Sequence, residues 1–291
     1  MKNHRFFRYI LGVLLKILAP KILKNRSVYS KLSFTRNVKI KVEKNDLYLH
    51  CFNEEISNSI FYSGIFGDYE GKTLELWFKI IEKMKPSEIY DVGANIGIFS
   101  LIASIASPSS LIRSFEPNFK TLKFLKNNVQ LNNFGNIQIN EFALSNKNSK
   151  QRFFNYGENS SPGLSSINHK NIDRNLDSVL LDVIDMIDFR KKTNSKIDII
   201  KLDIERAELS LLTHSRSIII EDRPIIFLEI LDKDDYTKFE ALFCDLSYKF
   251  IKINDTRKVI FHCNNIKNEK IVGRNWICYP SEIEQSLRSI I

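Results

Sequence analysis

The four cysteines, Cys51, Cys244, Cys263 and Cys278, form no C-x-x-C pair. That spacing argues against a disulfide framework or a zinc site and makes a reducing cytoplasm the simplest compartment. No apolar run reaches the roughly 20 residues that a spanning helix needs, because Lys16 interrupts the most hydrophobic stretch. No small-x-small cleavage site follows that stretch before Pro20 and Lys21, which weakens a signal-peptide reading. Internal repeats and low-complexity linkers are missing as well, so nothing of that kind divides the 291 residues in two. A third glycine is lacking where one would matter most. The turn Asp91-Val92-Gly93-Ala94-Asn95-Ile96-Gly97 has two glycines, whereas the dinucleotide fingerprint G-x-G-x-x-G sets three around a pyrophosphate. A nicotinamide oxidoreductase is therefore disfavoured.

With 43% hydrophobic residues the chain has ample material for a core. The formal net charge of +9 is unevenly placed. Residues 1–50 carry 12 Lys/Arg against Glu43 and Asp46, a balance of +10; the other residues carry 31 against 32, a balance of −1. A protein that tracks long nucleic acid needs cations spread over its working face. A near-neutral body therefore argues against a nucleic-acid partner.

The basic arm combines two patterns. Arg5, Arg8, Gly12 and Lys16 recur at helical spacing as a weakly polar stripe, and Phe7, Ile10, Leu11, Leu14, Leu15 and Leu18 fill the rest of the circumference. Three readings stay open: a helix lying on a membrane, a helix docking on the domain or a partner, and a targeting or spanning segment. Lys21, Lys24 and Arg26 suit the anionic inner leaflet, giving residues 1–26 a peripheral membrane contact in the first reading.

Beyond the arm, residues 38–42 and 47–51 alternate at period two around Lys44-Asn45-Asp46 and predict a hairpin. Residues 72–84 place Leu74, Leu76, Trp77, Ile80 and Ile81 at helical spacing, and Pro86 stops them. Strands are then expected at 89–92, 111–115, 137–144, 197–202 and 224–228, with helices after Gly97, over 119–131 and from about 207. An irregular stretch is expected through Gly157 and Gly163; the tail adds a helix over 236–246 and strands at 248–253 and 276–279. Repeated β-α-β order predicts an α/β, Rossmann-like, doubly wound and mostly parallel sheet. The expected organisation is a basic amphipathic arm over 1–30, a β-hairpin extension over 31–71 and a main domain over 72–291. Oligomeric state is left open.

Ligands of such sheets sit outside the carboxyl ends of the strands. Four predicted strand ends deliver carboxylates there: Asp91, Glu116, Asp203 with Glu205, and Glu229. Glu116 could accept hydrogen bonds from a ribose diol or cap the following helix; Asp91 could support the Gly93 turn or meet an ammonium group. The carboxylates could also hold a divalent cation through oxygen ligands, which is possible but not favoured. His169 and His214 are other conceivable bases, and residues 163–166 could form an acceptor loop.

The ordered set D-V-G-A-N-I-G at 91–97, F-E-P at 115–117, L-x-x-N-x-x-L-N at 125–132, A-L-S at 143–145, K-L-D-I-E-x-A-E at 201–208 and R-P-I-I-x-x-E-I at 223–230 resembles the FkbM family of methyltransferases. The resemblance covers roughly residues 68–231. It implies methyl transfer from S-adenosylmethionine to oxygen, on a sugar, glycan or secondary-metabolite-type acceptor. Carried onto this chain, it assigns Gly93, Asn95 and Gly97 to the cofactor turn, Glu116 to the ribose, and Ala143 and Leu144 to the flanks of the adenine. Asp203, Glu205 and Glu208 match its fourth-strand acidic motif, with Asp203, Glu205 and then Glu229 as candidates for the catalytic base. Where the family usually has glycine, this chain has Arg206; a left-handed backbone there would cost roughly 1–2 kcal/mol. The alternatives are an RNA methyltransferase, against which the missing N-P-P-Y-like segment counts, and a cofactor-binding or membrane-associated partner without turnover.

Overall fold

The computed structural model describes residues 2–18, 26–52, 54–154, 178–266 and 272–291. Helix α1 (Lys2–Leu18) and the single turn α2 (Arg26–Tyr29) come first. Strands β1 (Thr35–Val42) and β2 (Asn45–Phe52) pair antiparallel, as the alternation predicts. Val38, Ile40, Val42, Leu47, Leu49 and Cys51 face inward, while Lys39 and Lys41 turn to solvent and share Asp46. Helix α3 (Glu55–Ser63) is capped by the Glu54 carboxylate, which accepts from the amides of Ile56 and Ser57. Helix α4 (Gly71–Met84) buries the predicted stripe, with Trp77 Nε1 donating to the Phe99 carbonyl at 2.9 Å.

The main sheet begins with β3 (Glu88–Val92), α5 (Ile98–Ala106), β4 (Leu111–Phe115), α6 (Phe119–Asn132) and β5 (Ile137–Asn140). The strand predicted over 137–144 is in fact two. Asn140 ends β5, with its carbonyl accepting from the Glu116 amide at 3.1 Å, and Glu141 turns out to solvent. The chain then leaves the main sheet as β6 (Ala143–Ser145), which joins β7 (Ser149–Phe154) and β8 (Ser178–Asp185) in a three-stranded sheet ordered β6-β8-β7. A polar pair at positions 140 and 141 interrupts the alternation that one strand would need. Part of the stretch expected to be irregular is therefore ordered; Gly157 and residues 163–166 lie outside the described residues.

Helix α7 (Met186–Thr193) returns the chain to β9 (Ile199–Leu202), followed by α8 (Glu208–His214), α9 (Arg216–Asp222) and β10 (Ile225–Glu229). The tail comprises α10 (Tyr236–Phe243), β11 (Tyr248–Asn254), β12 (Val259–Cys263), β13 (Asn275–Pro280) and α11 (Glu284–Arg288). The eight-stranded order is β12-β11-β13-β10-β9-β3-β4-β5. From β10 to β5 all pairs are parallel, and β11, β12 and β13 extend one edge antiparallel. The order reverses between β3 and β9, which makes their carboxyl ends the switch-point crevice of a doubly wound sheet.

Alternation along the parallel strands divides the core into two layers. Ile89, Ile112, Ile199, Ile225 and Phe227 pack under α4 and α5; Tyr90, Phe115, Ile200, Ile226 and Leu228 pack under the helices after β8. Both faces of the sheet are thus covered, which its near-continuous apolar strands require.

Candidate active site

The turn after β3 is held from both sides. Gly93 and Gly97 have φ of 84° and 91°, and Asn95 joins them in the left-handed region at 53°. A Cβ on Gly93 would overlap the Asp203 carbonyl oxygen, and one on Gly97 would overlap the Leu125 side chain. The two glycines therefore let the turn press against the exit of β9 and against α6. The amides of Gly93 and Ala94 both donate to the Phe115 carbonyl at 3.0 Å, joining this turn to the end of β4.

Glu116 stands at that junction. Its carboxylate accepts from the amides of Asn95 and Asn118, each at 2.8 Å, so it ties the glycine turn to the start of α6. Burial raises its pKa to about 7 against the lowering effect of these amides. The helix itself is capped by Asn118, whose side chain accepts from Lys120. The asparagines of the L-x-x-N-x-x-L-N run have structural work. Asn128 Nδ2 donates to the Ile96 carbonyl at 2.9 Å while its Oδ1 accepts from the His50 amide at 2.8 Å. Asn132 accepts from the Tyr48 amide at 2.8 Å and donates to the Tyr48 carbonyl at 2.7 Å.

Asp91 lies one layer beneath the rim. It is fully buried and accepts from Ser100 Oγ at 2.5 Å, and Ser100 is in turn 2.6 Å from Ser114 Oγ. Asp91 pairs in register with Lys201 on β9, whose Nζ donates to Asp203 Oδ2 at 2.9 Å and lies 4.4 Å from the centre of the Phe99 ring. Lys201 is 5% exposed. Burial alone would drive off its proton, but Asp203, Glu70 and Asp91 hold it as a cation with a pKa above its ordinary value.

Around this cation the strand ends converge. Burial lifts Glu229 to a pKa of about 9, with Asp203 and Glu70 adding to the shift. Burial lifts Glu70, immediately before α4, to about 8; Lys201 opposes the shift and Asp203 adds to it. Glu205 rises to about 7 through burial and the neighbouring Asp203. Glu70 and Lys201 escape the sequence reading. Glu70 lies just before residue 72, where helical periodicity begins, and Lys201 reads as one polar position in a short strand. A hydrogen-bonded trio fixes the start of α4 against the antiparallel edge: Asp255 accepts from the Thr73 amide at 2.8 Å and from Asn275 Nδ2 at 3.0 Å.

The remaining candidates fall into two groups. Glu208 is buried and accepts from the Ile204 amide at 2.7 Å, closing the loop after β9. Ala143 and Leu144 are buried in β6, paired in register with Val183 and Ile184 of β8. Arg206 is left-handed at φ 77°, directly after a left-handed Glu205 at 53°, which is the conformation a glycine would take without strain. Its side chain points to solvent, 3.8 Å from Asp232. His214 is 2.7 Å from Asp185, the residue that caps α7, and His169 lies outside the described residues. Among the described residues, no group of three or more His, Cys, Asp or Glu is arranged to hold a metal ion. None of their helices is long and apolar enough to cross a membrane.

A family model described as the methyltransferase FkbM domain matches residues 91–251. The chain belongs to the FkbM methyltransferase family. The FkbM match opens at Asp91 and closes within β11, so it takes in the turn, Glu116, the acidic loop after β9 and Glu229, and leaves out Glu70. "Methyltransferase 1" of Beauveria bassiana is 27% identical over 144 residues, 43% of this chain and 57% of that protein. The chain therefore spans little more than half the length of this curated relative. The crystal structure of methyltransferase FkbM from Methylobacillus flagellatus is 16% identical, with 66% of this chain and 43% of that one covered and a TM-score of 0.44. The SAM-dependent methyltransferase from Agrobacterium tumefaciens is 8% identical over 85% of this chain and 71% of that one, with a TM-score of 0.46.

Proposed function

We propose that the protein transfers a methyl group from S-adenosylmethionine to a hydroxyl of a sugar, glycan or secondary-metabolite-type acceptor. The observation that carries this reading is the ring of carboxylates at the switch point, gathered around one buried lysine. Such a ring suits a cationic ligand and offers a proton acceptor, and it presents no phosphate-binding glycine loop. The turn also fits the cofactor chemically: Asp91 Oδ1 and Asn95 Oδ1 are buried acceptors without a hydrogen-bond partner. Buried acceptors of this kind call for donors such as an ammonium or hydroxyl group.

S-adenosylmethionine, when bound, supplies a methyl group on a sulfonium that already leaves readily. In this reading Gly93, Asn95 and Gly97 receive it with Asp91 behind them, Glu116 accepts from the ribose, and Ala143 and Leu144 flank the adenine. What remains for the chain is to orient the acceptor and take its proton. Glu205, with a pKa of about 7, titrates where a base at neutral pH should. Asp203, fixed by Lys201, orients the acceptor hydroxyl, while Glu229, lifted by burial to about 9, is the weaker candidate for the base at neutral pH. The enzyme is cytoplasmic in this reading, with residues 1–26 touching the inner face of the membrane.

The test is incubation of acceptor extracts with methyl-labelled cofactor, followed by fractionation of labelled products. Glu205→Gln should lower labelling at least a hundredfold while cofactor affinity changes less than threefold. Asp203→Ala should lower labelling at least a hundredfold and also weaken binding of the cationic cofactor, because it removes an anion of the ring and leaves Lys201 unpaired. The wild-type rate should rise with pH through about 7. Full labelling by Glu205→Gln would remove it as the base.

A further inference from the structure

Helix α1 docks by the face that carries Tyr9, Gly12, Val13 and Lys16. Tyr9 packs edge-on against Phe34 with ring centroids 5.0 Å apart. Gly12 lies so close to Tyr62 that a Cβ would overlap the phenol. Lys16 donates to the Phe61 carbonyl at 2.5 Å, and its ammonium sits 4.6 Å from the centre of the Phe61 ring. Tyr9, Gly12, Val13 and Lys16 follow one another in steps of three, one and three, which is one helix face. The opposite face carries Phe7, Ile10, Leu11, Leu14, Ile17 and Leu18, and it is open: Phe7 is 70% and Leu18 77% exposed. An amphipathic helix that serves only to cover a core turns the other way.

Charge identifies what the open face meets. Residues 1–42 hold 11 Lys/Arg and no acidic residue. A second copy of the chain on this face would bring two such arms together, at a repulsive cost. An anionic bilayer offers the complement to both properties, hydrocarbon for the stripe and negative headgroups for the cations. The 17-residue helix is too short and too interrupted to span that bilayer, so it lies along the surface.

We infer that the face of α1 formed by Phe7, Ile10, Leu11, Leu14, Ile17 and Leu18 is a lipid-docking surface that sits in the headgroup layer of an anionic membrane. This inference rests on the location proposed above and not on the reaction. The docked side of α1 is held by α3, and the chain runs on from α3 to Glu70, so the surface is built onto the segment that leads to the acidic rim.

Flotation of the full chain with vesicles of phosphatidylcholine alone, and of phosphatidylcholine with 30% phosphatidylglycerol, tests it without cofactor or acceptor. The protein should float with the anionic vesicles at least tenfold more than with the neutral ones, and 0.5 M salt should release it. Leu11→Glu/Leu14→Glu, at exposed positions, should cut binding at least tenfold with an unchanged near-ultraviolet circular dichroism spectrum. Failure of the wild-type protein to float, or equal flotation of the variant, overturns the inference. So does light scattering that shows a dimer dissolved by the same variant in the absence of vesicle binding. Cofactor binding, measured separately by calorimetry, reports on the methyltransferase reading and is independent of all these outcomes.

Discussion

Replacing Lys201 by methionine removes the cation around which the acidic rim is assembled, at nearly constant volume. Lys201 is buried, bonded to Asp203 at 2.9 Å and in register with the buried Asp91. Deleting one partner of a buried ion pair costs about 3–5 kcal/mol, because the other charge stays behind unpaired. Here the carboxyls have an escape, since Glu70 and Glu229 already titrate at about 8 and about 9. Their folded values lie above the ordinary value of 4.5, so they favour folding in the protonated form. That contribution is complete below pH 4.5 and is lost as pH rises through 8 to 9. Without Lys201 these values climb further, each unit being worth about 1.4 kcal/mol. Urea denaturation should therefore show a loss of about 3–5 kcal/mol at pH 9 and a loss at least about 1 kcal/mol smaller at pH 6. Adding Asp203→Asn should recover part of the loss. A loss below about 1 kcal/mol, or the same loss at both pH values, would refute the view that Lys201 balances the rim.

Three further outcomes are expected. Gly93→Ala should destabilise the protein by about 2–4 kcal/mol, the sum of a left-handed alanine and an overlap with the Asp203 carbonyl; a cost under about 1 kcal/mol would disprove the close approach. Glu116→Ala should weaken S-adenosylmethionine binding more than tenfold by calorimetry, and unchanged affinity would remove Glu116 from the ribose site. Binding of that cationic cofactor at pH 8 should release protons from Glu70 and Glu229, seen as a binding enthalpy that differs between Tris and phosphate buffers; identical enthalpies would contradict it.

The sequence disclosed what depends on local pattern. The strands of the parallel sheet, the hairpin and the α4 stripe follow from periods of two and 3.6, and Gly93 and Gly97 from the turn they open. Arg206 was legible as a misfit where the family has glycine, and its backbone is left-handed at φ 77°. The split at Asn140 and the departure of β6 to a second sheet were hidden, because pairing partners at 178–185 are remote in the chain. Glu70 and Lys201 were hidden for a related reason. Each looks ordinary alone and gains its character from carboxylates delivered by other strands.

The asparagines of α6 have a consequence for solubility. A two-stranded hairpin leaves a row of unpaired amides and carbonyls along each border, and such borders recruit strands from other chains. On β2, Asn132 offers Tyr48 both an acceptor and a donor, as a neighbouring peptide would, and Asn128 receives the His50 amide. Two side chains thus stand in for a third strand. Asn132→Leu would leave the helix intact and uncover a template for aggregation.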